Sequence, residues 1–143
     1  MGKKRIIAGA QGDTDKKVAE VSSAKTKRLV LKGTIHIASS YNNTIVSVTD
    51  TNGGVFAWTT AGSMGFNGAR KSTPYAATLV ANEATERAKK FGLQEARIII
   101  RGIGPGREAA LRGVVSTGIT VTSIIDDTPQ PHNGVRPPKP RRV

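Results

Sequence analysis

The chain has no cysteine and only two histidines, His36 and His132, among its 143 residues. Disulfides, cysteine-ligated zinc and thiol catalysis are therefore excluded, and little remains from which to build a metal site. Long apolar runs are missing too: no window approaches the roughly 20 residues of a membrane span. The start, MGKKRIIAGAQGDTDKK, carries positive charge without the apolar run of a signal peptide. No stretch sets large apolar residues opposite Lys and Arg, as a helix lying on an anionic membrane would. These absences predict a cytoplasmic protein with no membrane partner. Acidic residues are scarce, with 10 Asp and Glu against 22 Lys and Arg, a formal net charge of +12. A field of that sign favours a polyanionic partner.

The length suits one domain with a real core, and the charge is not spread evenly over it. Residues 1–28 hold eight basic and three acidic side chains with little apolar periodicity, and read as a mobile basic extension. Residues 29–128 hold ten basic and seven acidic groups together with the hydrophobic pattern, and are the expected globular domain. Residues 129–143 are proline-rich with four basic groups and no acidic one, a composition that disfavours helix and forbids a central strand. Two tails of one sign point to RNA or DNA more than to a merely solvated surface.

Within the domain, Leu29, Leu31, Ile35 and Ile37 alternate with polar residues, the period-two pattern of a half-buried strand. Tyr41 to Asn43 reads as a turn, Thr44 to Thr49 as a second strand, Asp50 to Gly54 as a hairpin turn and Val55 to Thr60 as a third strand. Ser72 or Thr73 should cap a helix with Pro74 at its first position. Ala77, Val80, Ala81, Ala84, Ala88 and Phe91 recur on it at helical spacing, and Gly92 stops it. Glu83 with Arg87 and Glu86 with Lys90 stand four apart on its outer face. Ala96 to Arg101 follows as a buried strand, Pro105 to Thr117 as a second helix closed by Gly118, and Ile119 to Ile125 as a fifth strand. The order βββαβαβ predicts an α/β fold with a mixed sheet, its later strands running parallel to their neighbours through right-handed crossovers.

Four segments are candidates for function. Residues 61–73, AGSMGFNGARKST, put Gly65, Phe66, Gly68, Arg70, Lys71, Ser72 and Thr73 directly before a helix N-terminus. Glycines let backbone amides approach a sugar-phosphate chain, the cations neutralise it, and the helix dipole adds a favourable field. RGIGPGR, residues 101–107, brings Gly104, Pro105, Gly106 and Arg107 into a possible anion nest between strand and helix. It lacks the Gly-Lys-Ser/Thr ending of a nucleotide-hydrolysing loop, and Arg107 stands where a dinucleotide fingerprint needs its third glycine. Asn42 and Asn43 could hydrogen-bond RNA, although Asn also suits a turn on backbone grounds. The tail PHNGVRPPKPRRV projects Arg136, Lys139, Arg141 and Arg142 from an extended backbone, with His132 able to stack and Asn133-Gly134 forming a tight turn.

At IHIASSYNNTIVSVTD, GFNGARKSTPYAA, GIGPGRE and DDTPQPHNGVRPPKPRRV the sequence closely resembles the small-subunit ribosomal protein S-eleven family, in one order over roughly residues 29–143. The resemblance implies a ribonuclease-H-like mixed five-stranded sheet with helices on it. It also implies a place on the platform of the small ribosomal subunit, where the protein bridges separate rRNA helices. The mRNA Shine-Dalgarno cleft and the neighbouring proteins S-seven and S-eighteen are implied as further contacts. Carried over by residue, the loop with Arg70 and Lys71, the turn from Gly104 to Arg107 and the tail from His132 onward are the implied rRNA-contacting positions. Asn67 stands where the family usually has a basic residue, and Pro140 interrupts the closing basic run.

An enzymatic rival is a metal-dependent nuclease, whose clustered carboxylates would hold two divalent ions. Asp50, Glu83, Asp126 and Asp127 are its candidates, but the first strand has no acid and Glu83 has a ready partner in Arg87. A DNA-binding architectural protein is the other rival, which charge alone does not separate from an RNA-binding one. The sequence is thus expected to be a scaffold rather than an enzyme, with no cofactor, metal or small-molecule substrate.

Overall fold

The computed structural model describes residues 29–139. The basic extension expected over residues 1–28, and Arg141 and Arg142 of the tail, lie outside the described residues. Among the described residues there are five strands: β1 (Lys32–Ser39), β2 (Thr44–Asp50), β3 (Val55–Thr60), β4 (Glu95–Arg101) and β5 (Thr120–Asp126). Two α-helices, α1 (Pro74–Lys89) and α2 (Arg107–Ser116), follow β3 and β4, and a short 3-10 turn (Gly68–Ser72) precedes α1. The sheet order is β3-β2-β1-β4-β5. β1 pairs antiparallel with β2 and parallel with β4, while β4 and β5 are parallel, so the expected order and mixed five-stranded sheet both hold.

The meander forms because local chemistry closes its turns. Asp50 accepts from the amides of Asn52 and Gly54 at 2.8 Å each, and Gly53 takes a φ of 85°, which a side chain would resist. Helix α1 begins as expected, with Thr73 as the N-cap accepting from the Ala76 amide at 3.3 Å and Pro74 at the first position. Both helices lie on one face of the sheet. Ala76, Ala77, Val80, Ala81, Ala84 and Ala88 are fully buried against Ile35, Ile37, Val46, Val48 and Ile98. Alanine is what lets a helix sit this close to a sheet, and losing one such isoleucine to alanine would cost about 2–5 kcal/mol.

The first strand differs from its expected span. It begins at Lys32, and Leu29 and Leu31 are 74% and 49% exposed, so only Ile35 and Ile37 of the alternating set enter the core. The chain before Lys32 is instead tied to the far end of α1 by the Val30 amide bonding Phe91 O at 2.9 Å. Helix α2 starts at Arg107 rather than Pro105, because Gly104 to Gly106 form the turn that leads into it. Of the two expected pairs on α1, Glu83 and Arg87 meet at 2.7 Å, whereas Glu86 and Lys90 form no ion pair.

Candidate nucleic-acid interface

Strand directions and register bring the candidate segments together. Ser39 ends β1, Thr44 starts β2, and Thr60, Arg101 and Asp126 end β3, β4 and β5, all at one end of the sheet. The Asn42-Asn43 turn, the loop 61–73, the turn 102–107 and the tail after Asp126 therefore all leave the fold there. Both helix N-termini face the same end, so their dipoles add to the positive field.

Ser40 organises the first turn. Its hydroxyl accepts from the amides of Asn42 and Asn43 at 3.3 and 3.1 Å, and Asn43 Oδ1 accepts from the Thr44 amide at 2.9 Å. Asn43 is thus spent on the turn, while Asn42 is exposed, as is its neighbour Tyr41.

The loop before α1 is knitted rather than slack. Ser63 and Thr60 exchange amide-to-hydroxyl bonds of 3.0 and 3.1 Å, and the Phe66 amide bonds Ala61 O at 3.1 Å. Phe66, one of the candidate residues of this loop, is half-buried against the core and meets Tyr75 edge-on with ring centroids 6.2 Å apart. The aromatic that faces solvent here is Tyr75, 68% exposed at the start of α1. Ser72 and Thr73 donate back to Ala69 O and Arg70 O, so their hydroxyls serve the turn and the cap. Gly65 and Gly68 remain open, with φ of 84° and 58° and free space around each. Arg70 is exposed and Lys71 half-exposed, and neither has an acidic partner among the described residues.

The turn 102–107 is built differently from an anion nest. Gly104 and Gly106 are buried, and the Gly104 amide is donated to Ser39 O at 3.0 Å instead of facing outward. A Cβ on Gly104 would stand 2.5 Å from Ser39 Oγ and 2.7 Å from the Ser40 carbonyl carbon; one on Gly106 would stand 2.7 Å from Ala77 Cβ and Thr44 Oγ1. These glycines let β1, β2 and α1 approach the turn, and Pro105 alone of the set is exposed. Arg107 also turns inward. Its guanidinium binds Asp126, Gly102 O and, at 3.0 Å, Thr128 Oγ1, so in the fold its contacts are with the end of β5 and the start of the tail.

Around that guanidinium the tail is latched to the turn. Thr128 Oγ1 accepts from the Gly102 amide at 3.3 Å and donates to Asp126 Oδ1 at 2.5 Å, while the Asp127 amide bonds Ile100 O at 2.9 Å. The Thr128 hydroxyl first, then the Arg107 guanidinium and the Thr128 amide, hold the Asp126 carboxyl below its ordinary value. Beyond Thr128 the chain is exposed throughout its described length, with His132, Arg136 and Lys139 all in solvent. Asn133 has a φ of 54°, which makes the expected tight turn with Gly134.

The carboxylates do not converge. Asp50 caps its own hairpin at the opposite end of the sheet, Glu83 binds Arg87, and Asp126 is held by Arg107 and Thr128. Sequence reasoning missed Tyr41 and Tyr75, and the signal was available: each sits in a polar turn or at a helix start where no apolar period continues.

A model of the family described as Ribosomal protein S11 matches residues 33–142. The chain belongs to that family. S11 relatives include the Small ribosomal subunit protein uS11 of Aquifex aeolicus (strain VF5), 55% identical over 119 residues, which span 83% of this chain and 95% of that one. Another, of Wigglesworthia glossinidia brevipalpis, bears the same name and is 48% identical over 128 residues, 90% of this chain and 98% of its own. As an S11 family member the chain is a ribosomal protein and not an enzyme.

Proposed function

We propose that the protein is a structural constituent of the small ribosomal subunit that binds rRNA through one end of its sheet and bridges separate rRNA helices with its C-terminal tail. The observation that carries this is the convergence of the Asn42 turn, the Arg70-Lys71 loop and the exit of the basic tail at a single end of the fold. Arg70 and Lys71 neutralise phosphates beside the N-terminus of α1, with Gly65 and Gly68 leaving room for a backbone to approach. Tyr75 and Tyr41, both exposed at this end of the fold, offer rings on which unpaired bases stack. His132, Asn133, Gly134, Arg136 and Lys139 continue the contact along the tail, and Arg141 and Arg142 belong to the same run by sequence. Gly104, Gly106 and Arg107 act by holding the surface in shape.

The finer placement follows the same reading: the platform of the subunit, the edge of the Shine-Dalgarno cleft beside mRNA, and proteins S-seven and S-eighteen as neighbours. The site of action is then the ribosome in the cytoplasm. Among the described residues no helix is long and apolar enough to cross a membrane. The test is a salt titration of binding to small-subunit rRNA, comparing the full chain with an Arg70→Gln, Lys71→Gln variant. Loss of two phosphate contacts lowers the slope of log affinity against log salt by about 1.4–1.8. An unchanged slope would remove the loop from the interface, and parent affinity flat across the titration would remove rRNA binding altogether.

A further inference from the structure

The two helices cover one face of the sheet, and among the described residues nothing covers the other. Strand alternation sorts the uncovered side chains into rows that run across the strands. One row is Ile45, Ala38 and Arg101 on β2, β1 and β4; the next is Trp58, Ser47, His36, Ile99 and Ile125 across all five strands; the third contains Thr34, Arg97 and Ser123. Trp58 is 56% exposed and Ile45 40% exposed, although both belong to residue types that cores usually claim. A hollow of about 210 Å³ lies at the end of this face nearest the loops, lined by Ala38, Ser39, Ser40, Asn43, Ile45, Arg101 and Gly102.

Basic groups outnumber acidic ones on this face. Arg97 and Arg101 are exposed and form no ion pair among the described residues. Glu95, the strand carboxylate beside them, is neutralised by Lys32 at 2.9 Å. Arg97 and Arg101 lie four residues apart on one strand, hence about 13 Å apart along β4, and Trp58 lies three strands, about 14 Å, to the side. Cations flanking apolar positions, with an exposed indole and an apolar hollow, are the parts of a platform on which unstacked bases rest while their phosphates meet arginine. The hollow adjoins the Asn42 turn, so this face is continuous with the end of the sheet already assigned to rRNA.

We infer that the open face of the sheet is a second nucleic-acid surface, taking a single-stranded RNA segment with a base seated in the Ala38, Ile45 and Asn43 hollow, phosphates on Arg97 and Arg101, and stacking on Trp58. The inference deepens the proposed rRNA binding and rests on it. A protein partner would also suit the apolar positions, but it would leave the two unpaired arginines without a counter-charge unless it were acidic.

Trp58 is the single tryptophan of the chain, so its fluorescence reports this face alone. The full chain is titrated with an end-labelled single-stranded oligouridine, following label anisotropy and Trp58 emission together, with acrylamide quenching before and after. The expected result is binding accompanied by a change in Trp58 emission and protection from acrylamide. An Arg97→Gln, Arg101→Gln variant should melt like the parent yet lose about 1.4 from the salt slope, two single-strand phosphate contacts. Anisotropy that rises while Trp58 stays unchanged and open to acrylamide overturns the open face and leaves the sheet-end interface standing. No rise in anisotropy overturns the open face, while the sheet-end interface stands or falls on its own titration with small-subunit rRNA. Protection of Trp58 that appears only on adding small-subunit proteins makes the face a protein contact and also overturns the inference.

Discussion

Replacing Gly104 by alanine separates a packing role for the turn from a phosphate-binding one. The added Cβ would stand 2.5 Å from Ser39 Oγ and 2.7 Å from the Ser40 carbonyl carbon, and closer still to the Ser40 carbonyl oxygen. Two of these neighbours are backbone atoms at the end of a central strand, so they cannot swing aside as a flexible side chain would. Overpacking of this kind costs about 1–3 kcal/mol, and straining the 3.0 Å bond from the Gly104 amide to Ser39 O adds about 0.5–1.5 kcal/mol. A total of about 2–4 kcal/mol lowers the melting temperature of a domain this size by roughly 10 °C or more. Gly65→Ala is the control: its φ of 84° makes a side chain unfavourable, but nothing lies within 4 Å of the new Cβ, so its cost stays near 1 kcal/mol. Circular dichroism melting reads both, and rRNA binding below the transition reads function. The expected result is a large melting shift with unchanged affinity for Gly104→Ala. Melting within about 4 °C of the parent, with weakened binding, would refute the packing role and restore the turn as a nest for phosphate.

Two further outcomes follow from the latch and the tail. Because the Asp126 carboxyl titrates below its ordinary 3.8, its contribution is complete above that value and lost as pH falls through the lowered one. The melting difference between the parent and Asp126→Asn should therefore be widest near neutrality and shrink as pH falls below about 4; a difference constant with pH would mean that Asp126 acts by shape alone. Removing residues 132–143 should leave melting unchanged, since the described part of that stretch is exposed throughout, but should impair co-sedimentation with assembled small subunits; a truncated chain that unfolds would place the tail in the core.

What the sequence revealed was local, and what it hid was tertiary. The hairpin at Asp50 to Gly54 and the Thr73 cap before Pro74 are written in neighbouring residues, and both form as read. Period-two alternation placed Ile35 and Ile37 in the core, but it ran on through Leu29 and Leu31 because periodicity does not mark where a strand loses its partner. Alternation also defines two faces without saying which one helices will cover, so Trp58 and Ile99 drew no notice. The glycines of residues 102–106 were legible as a turn that something approaches closely, but not that Ser39 and Ser40, some sixty residues earlier, stand against it in the fold. Arg107 misled for the same reason. A basic residue at a helix start looks free until Asp126 is folded beside it.

Arg107, by binding inward, gives the interface its geometry. A basic proline-rich tail reaches far, and that reach is useful for bridging only if its origin is fixed against the rest of the binding surface. Eleven described residues from 129 to 139 would span about 34 Å as a polyproline II helix, so a tail starting from a loose end could sample many directions. The latch removes that freedom at the base: Asp127 is bonded to β4, and Thr128 accepts from both Gly102 and Arg107 while donating to Asp126. The base is thus ordered without RNA, so the proposed binding would need to order only the residues after Thr128, each at about 1–2 kcal/mol of backbone entropy. The anchored base also fixes where the tail leaves the fold, at the same end of the sheet as the loop that carries Arg70 and Lys71, so that in the proposed bridging the two would engage separate rRNA segments together. In the proposed interface, a division of labour between a half-buried arginine that aims and exposed cations that would bind is how a small, weakly charged core directs a strongly charged tail.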